Sequence, residues 1–124
     1  MPRSRRLDQE AVRALALALP EAEESSHFGT PDFRVRKKIF ATLPPKHPGR
    51  AHVKATPIDV TELVRADPET YADAWGGRWL AVELARITPT AFEQLLRDAY
   101  RLAAPKRLAA ALDDGNPARF TSGR

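Results

Sequence analysis

The sequence predicts a single α+β domain with elements in the order α-β-β-β-β-α-β-α. Three observations lead there. Capped segments with apolar residues every three or four positions stand near both ends and in the middle of the chain. Segments of period-two alternation, punctuated by glycine and proline, lie between them. A chain of 124 residues suits one domain that buries roughly two thirds of the surface its unfolded form exposes.

Asp8 is a helix cap, followed by Val12, Leu15 and Leu19, and Pro20 ends the run. From residue 22 to 43 the period changes. Gly29 and Pro31 punctuate, Phe33 and Val35 alternate with Arg34 and Arg36, and Ile39, Ala41 and Leu43 alternate with Phe40 and Thr42. These read as strands joined by a tight turn at Arg36, Lys37 and Lys38. The proline-rich stretch 44–50 is a surface loop, and 51–55 a short strand. Thr56 and Pro57 then open a helix carrying Ile58, Leu63 and Val64, which Asp67-Pro68 stops.

Gly76-Gly77 breaks the chain before a strand at 79–85, where Leu80, Val82 and Leu84 share a face. Thr88-Pro89 repeats the cap-plus-proline start. Phe92, Leu95, Leu96, Ala99, Leu102 and Ala103 form the clearest helical stripe, closed by Pro105. A short helical turn follows through Lys106 to Leu112. The domain is therefore expected over 1–112. Residues 113–124, with Gly115, Pro117 and Gly123 and only Phe120 to bury, are expected to form a flexible tail.

Charge and composition narrow the function. The net charge is +4, and residues 33–58 hold all of the excess: Arg34, Arg36, Lys37, Lys38, Lys46, Arg50 and Lys54, with no acid among them. An anionic partner is expected to contact these seven residues. There is no cysteine, which excludes disulfides, thiolate metal sites and cysteine nucleophiles and fits a cytoplasmic location. No apolar stretch approaches the ~20 residues a membrane span needs. The basic start, Arg3, Arg5 and Arg6, runs directly into Asp8 and Glu10 and so reads as no export signal.

Three stretches together resemble the MmcQ/YjbR family: His27-Phe28-Gly29-Thr30-Pro31 leading to Phe33 and Lys38-Ile39-Phe40-Ala41; Gly76-Gly77-Arg78-Trp79-Leu80; and Ala104-Pro105-Lys106-Arg107-Leu108. The resemblance spans residues 7–112. It implies a curved, mostly antiparallel sheet backed by helices, a double-wing fold similar to the frataxin-like CyaY fold, and the DNA-binding label that family members commonly carry by analogy of shape.

No phosphate loop, no paired histidines on a helix and no nucleophile elbow occurs, so the chain is expected not to be an enzyme and to need no cofactor. His27, His47 and His52 have no partner at a spacing that suggests a metal or a triad. Glu21, Glu23 and Glu24, with Asp8 and Glu10, are the only acids with any claim to a hard cation, a use that frataxin-like proteins make of acidic ridges. Trp75 and Trp79 are expected at the core or its edge, and the Phe28 to Pro31 corner reads as a turn. The expected function is a monomeric, non-enzymatic DNA- or RNA-binding module of low specificity, with the basic hairpin on phosphates. The alternative is a protein- or small-ligand-binding domain that uses the sheet face and the Gly29 to Pro31 corner.

Overall fold

The computed structural model describes residues 7–114. Helix α1 (Gln9–Leu17) starts where Asp8 accepts a hydrogen bond from the Ala11 amide at 2.8 Å. Four strands follow: β1 (Ala22–His27), β2 (Thr30–Val35), β3 (Lys38–Thr42) and β4 (Arg50–Lys54). Helix α2 (Pro57–Ala66) and helix α3 (Pro89–Ala103) each begin with the threonine cap and proline expected of them. Between them lie β5 (Tyr71–Trp75) and β6 (Trp79–Glu83), and α4 (Lys106–Asp114) follows α3.

The α+β architecture is as the sequence predicts, with one strand more and with α4 a full helix. The missing strand is β5. In Tyr71-Ala72-Asp73-Ala74-Trp75 one alternating set is interrupted by Asp73 and the other holds only alanine, so no apolar face shows, and the strand occupies a sheet edge where only Tyr71 packs on the core. Gly76 and Gly77, read from sequence as a break, instead form the left-handed turn of a β5–β6 hairpin, with φ of 62° and 73°. Smaller corrections concern ends: β4 begins at Arg50, β6 ends at Glu83, and α4 takes in Asp113 and Asp114. The rest of the expected tail, Phe120 included, and the basic start at residues 1–6 lie outside the described residues.

All six strands form one antiparallel sheet in the order β1-β2-β3-β4-β6-β5. The register sorts side chains into two faces. Phe33, Ala41, Val53 and Leu80 lie in one row across β2, β3, β4 and β6, all buried, and they pack with Val12, Val60, Phe92 and Leu96 from the helices. A second row, Ser25, Asp32, Thr42, His52, Ala81 and Ala72, crosses all six strands and points the other way. The single core includes α1, α2, α3 and α4 residues, so the helices line one face and leave the second face open.

Tyr100 ties this arrangement together. Its ring meets Phe40 edge-on at 5.6 Å, and its hydroxyl donates to the Pro20 carbonyl at 2.7 Å, fixing α3 to β3 and to the end of α1. Of the neighbouring leucines on α3, Leu96 is buried and Leu95 only partly so. Leu96→Ala should therefore cost about 2–5 kcal/mol in denaturant titration, and Leu95→Ala less. Arg97, which meets Glu93 at 3.6 Å on the surface, should lose under about 1 kcal/mol on substitution by alanine. Equal losses at all three positions would contradict this packing.

Candidate nucleic-acid interface

The structure divides the seven predicted cations into three places. Arg36 and Lys37 form the β2–β3 turn, both with positive φ (51° and 72°), and Lys38 opens β3. Arg34, Arg50 and Lys54 project from the open face. Lys46 stands in the 44–50 loop, at the far end of β3 from the turn.

Most of the arginines are engaged within the fold. Arg34 holds Asp32 with two hydrogen bonds, 2.8 and 3.0 Å, and Arg36 holds Glu21 at 2.6 and 3.3 Å. Arg50 pairs with Glu83, its direct neighbour across β4 and β6. The acids come from outside the basic segment in each case, which is why the segment alone looked uncompensated. Lys37, Lys38 and Lys46 are exposed and make no ion pair within the described residues. Lys54 lies over the Trp79 ring, 5.3 Å from its centroid.

Both tryptophans belong to the open face. The register sets Trp75 against Trp79 and Trp79 against Lys54, and Trp75 is 75% exposed, which corrects its expected place at the core or its edge. Trp75, Trp79 and Lys54 thus form an aromatic and cationic corner on β4, β5 and β6.

At the opposite corner the three histidines come together, a convergence invisible in their sequence spacing. A groove of about 510 Å³ is lined by His27, Phe28, Thr30, Thr42, His52 and the loop residues 44–47. His27 bonds Asp32 through Nδ1 at 2.8 Å. Asp32 is fully buried, and burial would raise its carboxyl; the hydrogen bonds from Arg34 and His27 outweigh this and hold it below the usual carboxylate range. Burial, helped by Arg50 and His47, pushes His52 below the ordinary histidine value, so it is a neutral imidazole at pH 7. The groove's outer wall is pinned by Gln9, whose amide points at the carbonyls of Arg50, Pro44 and His47 at 2.9, 3.2 and 3.3 Å. A lone glutamine at a helix start gave no signal of this role.

The turn reading of the Phe28 corner holds: Phe28 and Gly29 have φ of 50° and 80° between β1 and β2. The acids considered for a cation are spread out instead. Glu21 meets Arg36, and Glu10 and Glu24 both meet Arg13. Among the described residues no three histidine, aspartate or glutamate side chains converge as metal ligands, and no helix is long and apolar enough to cross a membrane.

Comparison with known proteins places this fold. The YjbR family model matches residues 17–102, which take in every strand, α2 and most of α3. The chain belongs to the YjbR family. A crystal structure of a Deinococcus radiodurans protein with a DUF419 domain superposes on it with a TM-score of 0.70 at 24% identity, covering 78% of each chain. A Pseudomonas syringae protein superposes with a TM-score of 0.64 at 14% identity, covering 78% of this chain and 99% of its own. At those identities the likeness is one of fold. No curated protein matches significantly.

The buried Asp32 makes a measurable prediction for this YjbR domain. A carboxyl whose folded value is depressed contributes stability above its unfolded value, near 4, and that contribution is lost as pH falls through the folded value. Asp32→Asn should lower stability near pH 7 by about 1–3 kcal/mol, since it weakens bonds to a charged partner. The gap between wild type and variant should narrow as pH falls below the ordinary carboxylate value, near 4. A gap independent of pH would contradict the ionised, paired carboxylate.

Proposed function

We propose that the domain is a non-enzymatic module that binds single-stranded nucleic acid with low sequence specificity across the open face of its sheet. The observation that carries this reading is the Trp75, Trp79 and Lys54 corner. Two aromatic rings and a cation on an uncovered antiparallel sheet offer bases a stacking surface and a phosphate a partner. A strand of bases stacks on such rings whatever its sequence, because every base has a π-face.

The basic hairpin takes a smaller part than its composition suggests. Arg36 is held by Glu21, so Lys37 and Lys38 are the cations it can offer a phosphate without giving up an internal pair. Lys46 adds a charge at the groove end of the face. From β5, which carries Trp75, to β3, which leads into the Lys46 loop, the sheet spans three strand spacings, roughly 15 Å, enough for a few nucleotides.

Anisotropy with a fluorescent oligothymidine of about ten nucleotides tests this proposal. Wild type should bind at low salt. The log affinity should fall with log salt at a slope of about −2, the value for three phosphate contacts on a single strand. Trp75→Ala should weaken binding about 5- to 150-fold, equivalent to the 1–3 kcal/mol of one stacked base. Lys37→Glu with Lys38→Glu should reduce the salt slope by about one or two contacts. Wild type that retains neither DNA nor RNA at about 50 mM salt and micromolar protein would overturn the proposal.

A further inference from the structure

Apart from Lys46, the groove at the other end of the open face is built from parts that strand binding at the tryptophan corner does not use. It lies between the β1–β2 turn and the 44–50 loop, and at about 510 Å³ it falls within the ~300–1,000 Å³ usual for small-molecule sites. Its polar lining is cationic or neutral: Lys46, three histidines, and the hydroxyls of Thr30 and Thr42. The one carboxylate beneath it, Asp32, already has its oxygens bonded to Arg34 and His27, so the groove presents no free negative charge. Such a lining favours an anion over a metal ion, in keeping with the lack of convergent ligands.

Phe28 specifies the rest of the ligand. It is fully exposed and sits at φ 50°, a left-handed conformation that costs a residue with a side chain about 1–2 kcal/mol and that turns of this kind normally assign to asparagine, aspartate or glycine. Folding gains nothing from placing a large apolar ring there. The ring stands 6.4 Å from His27 and nearly perpendicular to it, and Phe28, Pro44 and Pro45 together supply the apolar part of the lining. A flat ring entering the groove would lie against Phe28 and have its charged end near Lys46 and His47, with the neutral His52 imidazole and Thr42 below as hydrogen-bond donors.

We infer that this groove binds a phosphorylated aromatic ligand the size of a nucleoside monophosphate, with the ring on Phe28 and the phosphate on Lys46, His47 and His52. The same chemistry has two sources, a free nucleotide and the 5′-phosphorylated end of a strand. The inference stands whether or not the tryptophan corner binds a strand.

Calorimetric titration of the full chain with 5′-AMP, adenosine and inorganic phosphate tests it. AMP should bind saturably, and about tenfold or more tighter than either half. Phe28→Ala and Lys46→Ala, both at exposed positions, should each weaken AMP about tenfold. Trp75→Ala should leave AMP binding unchanged while it weakens oligothymidine, which separates this site from the proposed strand surface. An oligonucleotide with a 5′-phosphate that competes with AMP, where its unphosphorylated twin does not, assigns the site to strand ends; equal failure of both assigns it to free nucleotides. AMP that does not saturate by millimolar concentrations, binds no tighter than phosphate, or is indifferent to both groove substitutions would overturn the inference.

Discussion

A sheet that carries its helices on one side must make its other side stable in water, and that constraint shapes the rest of this domain. The helix-facing row of Phe33, Ala41, Val53 and Leu80 supplies the apolar burial. Behind it, the outward row consists of small and polar residues: Ala72, Ala81, Thr42, His52 and Asp32. Asp32 is the most demanding member. It is fully buried on the open side of β2, and it is tolerable there because Arg34 and His27 satisfy its oxygens. Through that carboxylate, β2 fixes the orientation of His27 and thereby one wall of the groove.

The same constraint sorts the cations by type. Each paired arginine of the basic segment meets a carboxylate, Arg34 and Arg36 through two nitrogens, as suits a planar guanidinium. The lysines of the segment stay exposed or lie on an aromatic ring. An uneven charge along a sequence is therefore a poor guide to an uneven charge on a surface, because acids from Glu21 to Glu83 return to neutralise it. What remains for a partner is Lys37 and Lys38 at the hairpin, Lys46 in the 44–50 loop, and Lys54 on the open face beside the exposed Trp75.

Much of the architecture was legible because its signals are local. Asp8, Thr56-Pro57 and Thr88-Pro89 mark helix starts, the α3 stripe marks a core face, and the turns at Phe28-Gly29 and Arg36-Lys37 fall where the alternation breaks. β5 shows no signal because Asp73 interrupts its aromatic side and alanine fills the other, and Gly76-Gly77 reads in sequence as a break where the fold makes a hairpin turn. The site was harder to see. Trp75, Trp79 and Lys54 are neighbours through strand register, and His27, His47 and His52 share one groove through the pairing of β1 to β4 and the 44–50 loop. Register joins positions tens of residues apart, and no spacing rule in one sequence encodes it. Gln9, which clasps the 44–50 loop from α1, belongs to the same class.

We propose that this YjbR domain meets its partner on the uncovered sheet face rather than on the basic hairpin. The most direct measurement is the map of amide chemical-shift changes when labelled protein is titrated with a short oligothymidine. The changes should run along β4, β6 and β5, strongest around Lys54, Trp75 and Trp79, with α3 unaffected. Changes confined to Arg36, Lys37 and Lys38, or centred on the helices, would contradict it.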